Sequence, residues 1–241
     1  MSISVIIPAY NEGRYIASTL EHLRRAVDFA RKANPVPIDL IVVDNASTDE
    51  TAAIARGFGA TIIEESVHNI SRVRNAGAYS SNADVLVFVD ADTVVPESLL
   101  YRISEVMSDR DCAGGAVDVS HRPSRSLIKA YLALWRMLGK LTGMAQGATQ
   151  FCRREVFVSL RGYDESLYMG EDVDFYWRLK KLAKKRGLRH HLITDLQVIP
   201  SPRRFDQWST WRILVWTNPL FALTFRRWKK AWGGWYEKLP R

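Results

Sequence analysis

Asp90 and Asp92 stand two residues apart, directly after the uncharged run Val85–Val89. On an extended segment that spacing projects both side chains to one face. Two hard oxygen donors placed this way suit a divalent cation that holds phosphates. One acid would then take the cation and the other a ribose hydroxyl or a metal-bound water. The same pair also suits a plainer task, capping the turn before the helix that Pro96 opens. Asp44 closes a second run, Asp39–Val43, and has two readings as well. It is either a turn residue ahead of Ser47 or a carboxylate that accepts a hydrogen bond from a nucleobase N–H. Pro8, Tyr10 and Glu12 follow the first run, Ser2–Ile7, and could supply the other wall of a base and ribose pocket. Arg72 and Arg74 are either solvated helix charges or guanidinium groups facing a diphosphate.

A second constellation is Gly170-Glu171-Asp172. Phe175, Tyr176, Leu179, Leu182 and Ala183 repeat at helical spacing, and Asp172 falls on that inward stripe. Glu171 is turned off it by about 100°. An acid on the inward face at a helix start is either a partner of the helix dipole or a working carboxylate.

These residues need elements to hold them. Short apolar runs separated by helical stretches predict parallel strands buried on both faces. In open α/β sheets the ligand lies beyond the carboxyl ends of the strands, where the three acidic run-ends fall. Ile16, Leu20, Leu23, Val27 and Ala30 predict a helix to about Lys32, stopped by Asn34-Pro35. Ser47-Thr48-Asp49-Glu50 reads as a capping box opening a second helix, which Gly57-Phe58-Gly59 ends. A strand is expected over Ala60–Ile63 and a helix over Ser71–Ser80. This β-α alternation points to a doubly wound, mostly parallel sheet over roughly the first 110 residues. In the second half, strands are expected at Ala113–Val119, Gly147–Phe151 and His191–Ile199, and a helix at Glu171–Lys185. Leu127–Leu141 reads as a helix whose apolar stripe is Leu127, Ala130, Tyr131, Leu134, Trp135 and Leu138. The uncharged run Ile213–Phe225 is broken by Asn218-Pro219 and is too short for a bilayer span, which needs ~20 residues.

The chain has 241 residues and is 47% hydrophobic, enough for one large domain with a full core and against global disorder. Two cysteines, Cys112 and Cys152, make no disulfide framework and fit a reducing cytosol. No basic region precedes an apolar signal core, so no secretion signal is expected. The formal charge is +8, and Arg203–Arg241 alone holds nine Lys and Arg against Asp206 and Glu237. Six of the eight tryptophans lie there too. Basic residues mixed with Trp point to an anionic membrane surface at least as much as to nucleic acid; the partner expected is the membrane, touched peripherally from the cytoplasmic side, and no nucleic acid. The alternative is a helical segment packed on the domain with a basic outer face. The expected organisation is a main domain over 1–204, divided into a half with the candidate nucleotide site (1–110) and a less regular second half (111–204). A basic, Trp-rich, amphipathic helical segment follows at 205–241.

In order, Pro8-Ala9-Tyr10-Asn11-Glu12, Val43-Asp44-Asn45-Ala46-Ser47-Thr48-Asp49, Arg74-Asn75-Ala76-Gly77, Asp90-Ala91-Asp92 and Gly170-Glu171-Asp172-Val173-Asp174 resemble the motif set of family 2 glycosyltransferases. The resemblance covers roughly residues 2–200. It implies a GT-A fold over 1–204, with 1–110 the nucleotide-binding half and 111–204 the acceptor half, and transfer of a sugar, with inversion, from a nucleotide-diphospho-sugar to an acceptor hydroxyl. UDP is the commoner donor base of such enzymes. By the resemblance Asp44 meets the nucleobase, while Pro8, Ala9, Tyr10 and Glu12 line the nucleoside pocket. Asp90, Ala91 and Asp92 serve ribose and the metal–diphosphate, with Mg2+ or Mn2+ on Asp92 and Asp90, and Arg74 lies toward the diphosphate. Asp172 is the acceptor's general base. The acceptor class left open includes glycans and lipid-linked or cell-envelope glycans. Relatives often carry a metal-ligating His after the last strand, where this chain has Pro200-Ser201-Pro202. Either water completes the metal's shell, or Arg203 and Arg204 help neutralise the diphosphate. The glycine often found before the Arg-Asn pair is also missing at Asn69-Ile70-Ser71. A nucleotidyltransferase or a non-enzymatic membrane-binding module are the alternative functions; neither accounts as well for the Glu171-Asp172 helix start.

Overall fold

The computed structural model describes residues 1–144, 147–218, 221 and 224–236. In chain order these form β1 (Ile3–Ala9), α1 (Ile16–Ala33), β2 (Ile38–Asp44), α2 (Thr51–Gly57), β3 (Thr61–Glu64), α3 (Ile70–Ser80), β4 (Val85–Val89), β5 (Thr93–Val94) and α4 (Leu99–Ser108). The second half continues with β6 (Cys112–Val119), α5 (Ser126–Thr142), β7 (Thr149–Arg153), α6 (Arg154–Ser159), α7 (Glu171–Arg186), β8 (Arg189–Pro200), α8 (Arg203–Gln207), α9 (Thr210–Trp216) and α10 (Lys229–Tyr236).

The strands align in the order β3-β2-β1-β4-β7-β6-β8-β5. β3, β2, β1 and β4 run parallel. β7 then runs antiparallel to both β4 and β6, while β8 is parallel to β6 and pairs antiparallel with the two-residue β5. The sheet is therefore doubly wound and parallel through the first half and mixed in the second. A sequence period cannot show this, because strand direction is set by the partner.

Alternation along each central strand divides the core. Val85, Val87 and Val89 of β4 join Ile3, Val5 and Ile7 of β1 under α1 and α4. Leu86 and Phe88 point the other way and pack with Ile6, Val73, Phe157, Tyr163 and Phe175. Each burial removes apolar area from water at roughly 25 cal/mol per Å2, so both faces of the parallel half are closed and only the strand ends stay open to a ligand.

Three local expectations are corrected. Ser47-Thr48-Asp49-Glu50 does not cap α2. Ser47 Oγ instead accepts from Asn11 N at 3.0 Å, Asp49 Oδ2 accepts from Gly13 N at 3.0 Å, and Thr51 Oγ1 accepts from Glu12 N at 2.8 Å. The motif thus clamps the Asn11–Gly13 loop rather than starting a helix. Asn11 sits at φ 52°, a left-handed conformation that Asn tolerates, and its Oδ1 accepts from Thr48 N at 2.7 Å. Among the described side chains of α5, Ile128 and Leu132 are buried, while Leu127 and Leu134 are 68% and 49% exposed; Leu138 of the expected stripe lies outside the described side chains. The neighbour is the α8–α9 region, through Trp208 and Ile213; Tyr131 of the expected stripe packs there, but the buried centre is Ile128 and Leu132, one residue round from it. Glu171, expected off the inward stripe, is buried because Arg74 draws it inward.

Described parts of the tail pack back on the domain. Trp208, Ile213 and Trp232 are buried, and α8 runs across position 204. Among the described residues no helix is long and apolar enough to cross a membrane.

Candidate active site

The carboxyl ends of β1 and β4 open onto a cavity of about 1080 Å3. Pro8, Ala9, Tyr10, Glu12, Arg74, Asp90, Ala91, Asp92, Asp172, Arg203 and Arg204 all line it, so residues up to 196 positions apart share one space. Asp44 is not among them. It lies buried at the end of β2, its Oδ1 3.4 Å from Ser47 N, which is the turn geometry, and Asn45 forms the wall there.

Two buried guanidinium groups organise the acids. Arg74, on the inward face of α3, donates from Nη2 to Asp90 Oδ1 at 2.8 Å and from Nη1 to Glu171 Oε1 at 2.7 Å. It lies 5.3 Å from the centre of the Tyr163 ring. Despite its burial, the charges of Asp90 and Glu171 hold it protonated, well above its ordinary value. Arg203, in the first turn of α8, donates from Nη2 to Glu12 Oε1 at 2.5 Å, and the same nitrogen lies 3.1 Å from Asp92 Oδ2. It stacks 4.4 Å over the Tyr15 ring. Burial raises the carboxyls of Asp90 and Asp92 above the usual range even with these partners. Each is opposed by its arginine and pushed further by a neighbouring acid, Asp92 for Asp90 and Glu12 for Asp92.

Asp172 opens α7. Burial raises its carboxyl from 3.8 to about 7; the Glu171 charge adds to the rise and Arg74 opposes it. Its Oδ1 accepts from Val173 N at 2.8 Å, and its main-chain oxygen accepts from Gln150 Nε2 at 2.9 Å. Gly170, at φ 69°, turns the chain into the helix in a conformation that favours glycine. Across the cavity a Cβ on Gly147 would lie 2.4 Å from Asp172 Oδ2, so the carboxyl occupies the space a side chain would take.

Sequence reasoning missed the supporting residues. Asn75 donates to Tyr163 O at 3.0 Å and to Glu165 Oε1 at 2.9 Å, pinning the loop that leads to Gly170. Gln150 accepts from Tyr163 Oη at 3.1 Å while holding Asp172. The Arg74-Asn75 pair was the available signal: adjacent polar residues inside an otherwise apolar helix face. Arg72, by contrast, is an exposed helix charge paired with Glu65, and His190 and His191 are exposed on β8.

The carboxylates suit a divalent ion in part. Asp90 and Asp92 are hard oxygen donors whose carboxyls burial raises despite the charge of Arg74 beside the one and of Arg203 and Arg204 beside the other. Among the described residues no group of three His, Cys, Asp or Glu forms a full protein cage. Mg2+ and its like commonly take one or two carboxylates and fill the shell with water and substrate phosphate. The donor set therefore fits an ion that arrives with a diphosphate.

Comparison with known proteins gives the same architecture. Over 203 residues the chain is 26% identical to glycosyltransferase AglE of Haloferax volcanii, covering 79% of this chain and 65% of the relative. Over 231 residues it is 27% identical to the uncharacterized glycosyltransferase YaiP of Escherichia coli, covering 87% of this chain and 55% of the relative. With the O-antigen chain rhamnosyltransferase RfbN of Salmonella typhimurium it shares 26% over 193 residues, 72% of this chain and 59% of the relative. The chain thus spans about half to two thirds of these relatives. Mannosyltransferase PcManGT of Pyrobaculum calidifontis, solved with GDP-Man and Mn2+, superposes with a TM-score of 0.64 at 22% identity, covering 88% of this chain and 59% of that one. Residues 1–349 of S. aureus TarS with UDP-GlcNAc give 0.64 at 18% identity, covering 83% and 59%. These likenesses establish the GT-A fold. The family pattern of glycosyl transferase family 2 runs through residues 4–160, well over half of the 241, and the chain belongs to that family.

Proposed function

We propose that this chain moves a sugar from a nucleotide-diphospho-sugar, with UDP as the nucleotide, to an acceptor hydroxyl with inversion at the anomeric carbon. One observation carries the reading: Asp172, whose carboxyl burial pushes up to about 7, faces the same cavity as the Asp90–Asp92 pair. A general base works best when its pKa lies near the operating pH. In this reading Asp172 takes the acceptor proton as the hydroxyl oxygen bonds the anomeric carbon. The bond to the diphosphate breaks on the opposite face. Pro8, Ala9, Tyr10 and Glu12 hold the nucleoside. Asp90 and Asp92 hold ribose and a Mg2+ or Mn2+ ion, which when bound supplies Lewis-acid neutralisation of the leaving diphosphate. Arg203 leaves Asp92 for a diphosphate oxygen, as a guanidinium matches an oxyanion. Asp44 keeps a role at the nucleobase only if the turn at Ser47 opens; Asn45 is the nearer wall.

The domain carrying this activity is taken as 1–204, with 205–241 as an appended basic segment. Peripheral contact with an anionic membrane belongs to the same reading. Leu127, Leu134, Met137 and Trp211 are exposed, and α5, α9 and α10 contain no acidic residue.

A thermal-shift panel of nucleotide-sugars, with and without Mn2+, tests the assignment. One UDP-sugar should raise Tm by several degrees with Mn2+, and Asp92→Asn should remove the Mn2+-dependent part. No shift for any nucleotide-sugar would overturn the reading.

A further inference from the structure

Asp44, the carboxylate expected at the nucleobase, lies in the turn at Ser47 and does not line the cavity. The polar wall beyond β1 and β2 is made by Tyr10, Asn45, His68 and Asn69 instead. The two amides among them are spent. Asn69 Oδ1 accepts from Arg72 N at 3.0 Å, and its Nδ2 donates to Glu165 O at 2.9 Å. Asn45 Nδ2 donates to Glu65 O at 2.5 Å and to Val67 O at 3.0 Å.

Those two carbonyls fix the Asn45 amide, because the flipped amide would set oxygen against oxygen. Asn45 Oδ1 therefore faces His68 Nδ1, at 3.2 Å, and an amide oxygen only accepts. Nδ1 carries the proton, which in a neutral imidazole leaves Nε2 as an acceptor. The two ring nitrogens point away from each other, so Nε2 is turned from the Asn45 wall. His68 is exposed and lines the cavity, and its Nε2 has no partner among the described residues. Tyr10 packs on the imidazole, with ring centres 4.5 Å apart and planes tilted by 43°, and limits its swing. One fixed acceptor suits a base that presents one N–H. The imide of uracil or thymine does so at N3. Guanine, cytosine and adenine each present two or more N–H groups, which call for a carboxylate or a second acceptor.

We propose that His68 is the residue that selects the nucleotide: its Nε2 accepts from the imide N3–H of a pyrimidine base, a task for which Asp44 is out of reach. This rests on the reading of the cavity as a nucleotide-sugar site, and it supplies the contact that chooses the base. Asn45 acts through His68, as a positioning residue that holds the tautomer and the ring. Uracil and thymine share the imide; the recognition chemistry is the same for both.

The test is calorimetric titration of the full chain at pH 8 with Mn2+. The probes are UDP, thymidine diphosphate, GDP, CDP, inorganic pyrophosphate and 3-methyluridine diphosphate, in which a methyl group replaces the imide hydrogen. Wild-type chain should bind UDP or thymidine diphosphate about tenfold or more tighter than GDP, CDP and the 3-methyl analogue. The tighter of the first two names the base. His68→Phe keeps a ring against Tyr10 and removes the acceptor. It should bind UDP and the 3-methyl analogue equally, while its pyrophosphate affinity stays at the wild-type value. The assignment is overturned if wild-type chain binds UDP and its 3-methyl analogue equally, a result that needs no variant. It is also overturned if His68→Phe still discriminates between them, since the acceptor would then lie elsewhere. Absence of any nucleotide binding to wild-type chain would instead sink the transferase reading.

Discussion

Replacing Asp172 by Asn should damage catalysis and strengthen the fold at the same time. Asn keeps the oxygen that accepts from Val173 N and the size of the side chain, and removes only the charge and the basicity. The carboxyl is raised from 3.8 to about 7 because burial and the Glu171 charge penalise the ionised form. Between those values the folded state keeps a proton that the unfolded chain has released. Stability therefore falls as pH rises through that window and is lowest above about 7. At 1.36 kcal/mol per pH unit the cost above pH 7 is at most about 4 kcal/mol, less whatever water in the cavity screens. Asp172→Asn escapes it. Urea unfolding at pH 8 should show the variant more stable by about 1–4 kcal/mol, with the difference vanishing near pH 4. Turnover should fall by ~10²–10⁴, the range for a lost general base, with nucleotide-sugar affinity kept. Wild-type kcat/KM should rise with pH about a midpoint near 7. A variant that is less stable at pH 8, or turns over within a few-fold of wild type, would refute the assignment.

Gly147→Ala adds a methyl group 2.4 Å from Asp172 Oδ2 and must displace that carboxyl. A shift near 1 Å costs on the order of 10²-fold in rate, so kcat should fall about that far while a UDP titration is unchanged. Arg74→Gln strips the shared cation from Asp90 and Glu171. Urea unfolding at pH 8 should show a loss of about 3–5 kcal/mol, the penalty for an orphaned buried charge, and the deficit should shrink at pH 5 as the carboxyls take up protons. Trp211→Ser with Leu134→Gln should reduce co-sedimentation with phosphatidylglycerol vesicles; undiminished sedimentation would remove those faces from the membrane reading.

Much of the architecture was legible because it depends on local pattern. The apolar run Val85–Val89 can be buried on both faces only as a central strand, and β4 is one. Ile16 to Ala30 keeps one face of α1 against the sheet. The acids after β1 and β4, Glu12 and the Asp90–Asp92 pair, fall at the cavity because carboxyl ends of parallel strands are open, whereas Asp44 at the end of β2 does not line it. Other features depend on a partner distant in sequence. Whether Glu171 turns in or out is decided by Arg74, 97 positions away. Which stripe of α5 is buried is decided by Trp208 and Ile213. Ser47 becomes a clamp because Asn11 lies 36 positions back with an N–H to satisfy. The antiparallel insertion of β7 between β4 and β6 leaves no mark on its own residues, since side-chain alternation is the same in either direction. The chain by itself thus determined which residues are buried in strands and which acids end them. Only the tertiary structure decided which charge neutralises which, because Coulomb pairing depends on distance in space and not along the chain.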